Sequence, residues 1–194
     1  VSGAVKLATG DGKIAGGVSL TAGTSYEGEG AGVTVAAGSA RQVGAAGGDV
    51  QVSAGDGGGN GGKLLLSGGA GADKDGGSIE LLSGSSVMGT SGRVAIRTND
   101  HATADSGAIV VETGEASGMT GALLMQTGTS TASAAGGVEI LVGDSALSRG
   151  GSVNVVSGST ADDSSAGGAI SFVAGAGGEG GEVSLLAGVG RLGA

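Results

Sequence analysis

One short phrase recurs thirteen times in the 194 residues of this chain. It reads Gly, any residue, aliphatic, any, aliphatic, any, small, Gly, and its first copy is Gly3-Ala4-Val5-Lys6-Leu7-Ala8-Thr9-Gly10. The closing residues stand at Gly10, Gly23, Gly38, Gly55, Gly69, Gly84, Asn99, Gly114, Gly128, Gly143, Gly158, Gly175 and Gly188. Their spacing runs from 13 to 17 residues and is most often 15. Self-similarity at a short fixed period means one structural unit used many times, and it limits the fold more than any other property of the chain.

Within the phrase, aliphatic and variable residues alternate, which is the period-2 pattern of a half-buried strand. The residues five, three and one before the closer share one face. The first column runs from Val5 to Val183, the second from Leu7 to Leu185, and neither contains a polar residue. The third is nearly always small, as at Thr9, Ala22, Ser83 and Ala187. These columns predict an inward, buried face. The closing column predicts positive φ, because Gly enters that region without steric cost. Asn99, the one exception, belongs to the residue type that best tolerates it after Gly. Gly makes up 48 of the 194 residues. At ~1 kcal/mol lost per helical Gly relative to Ala, a helical reading fails.

Between phrases lie arcs rich in Gly, Ser, Asp and Ala, such as Asp56-Gly57-Gly58-Gly59-Asn60-Gly61-Gly62. They are too short for a crossover helix of ~10–12 residues. The expected fold is therefore all-β: a parallel β-solenoid of about 13 coils with roughly 15 residues per coil, rising ~4.8 Å per coil. Residues 1–194 read as a single continuous array, either processed or an excerpt of a longer repeat array. The two 17-residue spacings place their extra residues in arcs, at Ala40 to Ala46 and Thr160 to Ala166. An antiparallel meander is the competing arrangement, but its usual two-residue turns are shorter than these arcs.

A net charge of −9 with only nine Lys and Arg argues against nucleic acid. Aromatic stacking platforms are missing too, since Tyr26 and Phe172 are the only aromatic residues. No apolar run approaches the ~18 residues of a membrane span. Zero cysteines exclude disulfides and thiolate chemistry.

Several motifs invite a chemical reading and fail it. Gly57-Gly58-Gly59-Asn60-Gly61-Gly62-Lys63-Leu64 nearly matches a phosphate loop, but Leu64 stands where a magnesium-binding hydroxyl belongs. His101 is the only histidine, with Asp100 and Asp105 nearby, whereas a metal site needs three or four protein ligands. Asp11, Asp56, Asp100, Glu115 and Asp144 follow closers directly, yet other coils carry neutral residues there, so no repeated calcium cage forms. No cofactor, metal or enzymatic activity is expected. Ice-binding rods would need regular outward Thr ladders, and pairs such as Lys6/Ala8, Ser19/Thr21 and Gln51/Ser53 are irregular.

One outward column is apolar. Leu141, Val156, Val173 and Leu186 stand two residues before their closers, with Leu82 in the same column. Leu65, Val110 and Leu124 share that face. Such a ladder is not left in water: either the arc folds over it or another rod packs there. Solenoids also need polar caps to stay monomeric, and none is evident. The expected function is therefore a structural subunit of an extracellular or cell-surface filament. It would assemble end to end through Val5, Leu7, Val183 and Leu185, and laterally through Leu141, Val156, Val173 and Leu186. The alternative is a soluble binding rod, ice-binding or adhesin-like.

Phrases such as Gly16-Gly17-Val18-Ser19-Leu20-Thr21-Ala22-Gly23 and Gly167-Gly168-Ala169-Ile170-Ser171-Phe172-Val173-Ala174-Gly175 resemble those of Gly/Ser-rich β-solenoid proteins of surface fibres, including flagellar hairs of algae and their relatives. The resemblance covers nearly the whole chain. It implies a self-associating structural protein outside the cell. The Ser/Thr-rich arcs offer hydroxyls that O-linked glycans could occupy. The absence of Cys and of Asn-x-Ser/Thr sequons departs from many secreted fibres.

Overall fold

The computed structural model describes residues 3–190. Straight and bent segments alternate along them with the period of the sequence. The phrases are free of bends, while the arcs bend, for instance at 58–60, 72–74, 87–89, 102–104, 131–133 and 146–148. In these six arcs the bend begins three residues after the closer.

The all-β solenoid is not what the chain forms. Among the described residues there is no helix and no strand. Only eight backbone-to-backbone hydrogen bonds are present among them, where a globular chain of this length makes roughly 130. The solvent-accessible surface is 19634 Å². A folded protein of this mass exposes roughly 8,000 Å² and its unfolded chain roughly 25,000 Å². The alternation in the phrase predicts a buried and an open face, but among the described residues no strand ladder forms to bury either one. The physical reason is the balance within one repeat. Fixing each backbone residue costs about 1–2 kcal/mol, and Gly loses more freedom than any other residue. Two aliphatic side chains per fifteen residues return too little.

What order exists is at the mouths of the arcs. In six of them the Gly that opens a phrase donates its N–H to the carbonyl of the Gly that closed the one before. Gly48 bonds Gly38 at 2.9 Å, Gly62 bonds Gly55 at 2.9 Å, Gly77 bonds Gly69 at 2.8 Å and Gly92 bonds Gly84 at 2.8 Å. These four lie in the first of two units, Val1–Arg97. In the second unit, Thr98–Ala194, Gly168 bonds Gly158 and Gly181 bonds Gly175, both at 2.9 Å. The enclosed chain varies from six to ten residue steps, yet the mouth keeps its register.

The two arcs with added residues fold them into a tight turn. Ala45 donates to the Gln42 carbonyl at 3.1 Å and Ser165 to the Asp162 carbonyl at 3.0 Å. Gly44, third in the first turn, has φ 82°, the left-handed value required at the third position of a type II turn.

The closing column does not have the expected positive φ. Among the described residues only Gly28 and Gly44 have it, and Asn99 does not. The chain reverses inside the arc, and at the bonded mouths the closer serves as the hydrogen-bond acceptor. A Cβ on Gly38, Gly55, Gly84 or Gly158 would meet no atom within 4 Å. At the six bonded mouths the tight column is the opening one. A Cβ on Gly168 would lie 3.3 Å from the Gly158 nitrogen and 3.3 Å from the Ser157 Cβ.

Candidate assembly surface

The columns expected to be buried are not. In the first column, Val18 through Val183 are 48–59% exposed, and Val5 is 99% exposed. The second column, from Leu7 to Leu185, is 62–87% exposed. The outer residues Leu65, Leu82, Val110, Leu124, Leu141, Val156, Val173 and Leu186 are 69–87% exposed. The inner and outer faces therefore differ by degree only. The first column is consistently about half-covered, because it sits two residues beyond the opening Gly and next to the arc mouth.

The described residues that are partly buried are Ala22, Thr98, Ser157 and Ala174, all from the small column one residue before a closer. Their smallness follows from the approach of the next opening Gly. Ser157 also donates its hydroxyl to the Gly168 carbonyl at 2.9 Å, adding a second bond to that mouth. The third column is thus a hinge contact rather than part of an apolar core. Its signal was already in the phrase, where a small residue precedes one Gly and faces another.

A second set of residues shapes the arcs from two positions after the closer. Ser86 Oγ accepts the Gly89 N–H at 2.9 Å, Ser130 Oγ that of Ser133 at 3.2 Å, and Ser145 Oγ that of Ser148 at 3.1 Å. His101 occupies the same place. Its Nδ1 accepts from Ala104 N at 2.8 Å and from Thr103 N at 3.3 Å, so here the imidazole stands in for a serine hydroxyl. These are side-chain-to-backbone bonds that favour turns. Gly12, Gly57, Gly71 and Gly177 fill this position in other arcs, and Ala40 and Ala116 in two more, so the side-chain bond recurs without being a rule of the repeat.

Asp162 has a shifted ionisation. Its carboxylate accepts the Ser164 and Ser165 hydroxyls at 2.7 Å each and the Ser164 N–H at 3.0 Å. These bonds favour the charged form and lower its pKa from 3.8 to about 2, with the Ser164 hydroxyl the largest cause.

The Gly57–Leu64 stretch bends at 58–60, closes through Gly62 and continues extended into Lys63, so it does not present a helix N-terminus to a phosphate. Among the described residues no three His, Cys, Asp or Glu side chains gather as a metal site, and no helix is long and apolar enough to cross a membrane.

Leu141, Val156, Val173 and Leu186 are 84–87% exposed, with no arc folded over them. Val5, Leu7, Val183 and Leu185 are exposed to different degrees but do not form coil rims, because there are no coils; they are ordinary members of their columns. The surface that remains is a set of aliphatic columns, repeated at about the same interval in each unit. They are carried on extended backbone whose N–H and C=O groups lack backbone partners apart from those at the mouths and turns. Comparison with protein-family models, curated proteins and solved structures returns no significant match to this chain.

Proposed function

We propose that this chain is a structural, self-associating repeat protein of an extracellular fibre or surface layer, in which copies bury one another's aliphatic columns. The observation that supports this is the periodic exposure of the columns. A first-column residue such as Val153 or Ile170 retains about half its surface in water. Covering that half is worth on the order of 1 kcal/mol per side chain. A second copy presents aliphatics at the same interval, so one favourable contact brings the following ones into register. The extended segments add unpaired backbone groups, which invite pairing with another chain. Placement outside the cell rests on the resemblance to surface-fibre repeats. Exposed arc hydroxyls such as Thr129 and Thr131 are open to O-linked sugars.

Sedimentation velocity and electron microscopy across the micromolar range test the reading. The wild-type chain is expected to form concentration-dependent assemblies. The triple variant Val153→Asp, Val155→Asp, Val156→Asp is expected to weaken them, since an unpaired charge in an apolar contact is strongly penalised. The Gly168 amide reports whether the adjacent arc stays closed in that variant. A chain that remains monomeric at every concentration would overturn the proposal.

A further inference from the structure

The two units differ in charge far more than in repeat pattern. Val1–Arg97 carries seven Lys and Arg against eight Asp and Glu, a formal −1; Thr98–Ala194 carries two against ten, a formal −8; together they give the chain's −9. The contrast is sharpest on the extended segments, where the aliphatic columns also lie. In the first unit these segments bear the cations Lys6, Lys63, Arg93 and Arg97 against Asp49 and Glu80. In the second they bear Glu112, Glu139 and Glu182 and no cation. All nine side chains are exposed. The face available for association is therefore net positive in one unit and net negative in the other.

We infer that copies associate heterologously, with the extended segments of one copy's Val1–Arg97 unit against those of another copy's Thr98–Ala194 unit. This inference rests on the self-association proposed above and adds its register. Pairing like units would set −8 against −8, with acidic side chains facing each other along the aliphatic contacts. Pairing unlike units offers Glu112, Glu139 and Glu182 to the lysines and arginines while burying the same columns, because the period is common to both. Charge then decides between registers that the aliphatic repeat leaves almost equal in energy. Since each unit of a copy engages the opposite unit of another copy, contacts made with two different copies propagate as an open array, whereas two copies that satisfy each other form a closed pair.

The chain has no cysteine, so single substitutions give unique crosslinking sites. Full-length Ser78→Cys, in the first unit, and full-length Ser152→Cys, in the second, are mixed under assembling conditions and oxidised. Mass spectrometry then counts 78–152 against 78–78 and 152–152 disulfides. The mixed crosslink is expected to exceed either like crosslink by about tenfold at low salt, since several exposed charge pairs each contribute a fraction of a kcal/mol. The preference should fade by about 0.5 M salt as screening shortens the electrostatic range. Charge reversal gives a second readout. Glu112→Lys, Glu139→Lys and Glu182→Lys together should suppress assembly at low salt. Adding Lys6→Glu, Lys63→Glu, Arg93→Glu and Arg97→Glu to that chain should restore it. Assembly in which like crosslinks dominate, or in which the charge swap fails to restore assembly, overturns the register and leaves self-association standing. Failure of the wild-type chain to assemble overturns both.

Discussion

Replacing Gly62 by Ala and, separately, Gly55 by Ala sets the two sides of one arc mouth against each other. Neither position has positive φ, so backbone strain does not enter. A Cβ on Gly62 would lie 3.2 Å from both the nitrogen and the carbonyl oxygen of Gly55, and 3.3 Å from the Ala54 Cβ. The mouth must widen by a few tenths of an ångström, which takes its 2.9 Å hydrogen bond to the long edge of good geometry. Weakening that bond costs up to about 1 kcal/mol. A Cβ on Gly55 meets nothing within 4 Å. Both substitutions reduce the freedom of the open chain and so favour closure by about 0.4–1 kcal/mol, a gain that cancels in the comparison. The closed population should therefore differ by up to about fivefold between the variants, with Gly55→Ala the tighter. Water exchange of the residue-62 amide, corrected for intrinsic rates measured in short peptides, reads that population by NMR. Equal protection in the two variants, or a looser mouth in Gly55→Ala, would refute the assignment of the steric constraint to the opening glycine.

The Asp162 turn should depend on acid. Because hydrogen bonds hold its carboxyl below the ordinary 3.8 at about 2, the ordering it provides is complete above pH 4 and is lost as the pH falls through about 2. Protection of the Ser164 and Ser165 amides should follow that titration and be insensitive to pH in Asp162→Asn; a midpoint in the ordinary carboxylate range would contradict it. At position 101, His101→Ser should preserve the bend and His101→Ala should speed exchange of the Ala104 amide by roughly two- to fivefold. A serine variant as loose as the alanine one would remove the equivalence between His101 and Ser86.

Of the sequence reading only the period carries into the structure, as the interval at which the chain bends; strands, turns at the closers and neighbours beside each segment do not. Alternation at Val50 and Val52, or at Val153 and Val155, requires only that the local backbone be extended, and it is. Burial of those residues requires a neighbouring segment, and the entropy of the Gly-rich arcs opposes holding one there. The closing glycines misled for a related reason. Their recurrence suggested a backbone conformation, whereas their place is beside the opening glycine, which carries the steric constraint and whose column is broken only by Ala31. The candidate surface was legible as columns, from Leu141 to Leu186 on one side and Val5 to Val183 on the other. The difference in environment expected between those sides was not found, because the single chain supplies no interior to define an inside.

An arc mouth held by one hydrogen bond is also stored length. Gly38 and Gly48 are ten residues apart in sequence, about 35 Å when drawn straight, yet they are 2.9 Å apart at their bonded atoms. The shortest bonded arc, Gly175 to Gly181, stores about 20 Å. Each mouth opens at the expense of about 1 kcal/mol, far below what would strain a covalent bond. A chain pulled from its ends therefore lengthens in steps of tens of ångströms as mouths part, and shortens again when the load is removed. Because the mouths share one geometry while the arcs vary in length, the force for each step is set by the glycine pair and the distance gained by the residues between them.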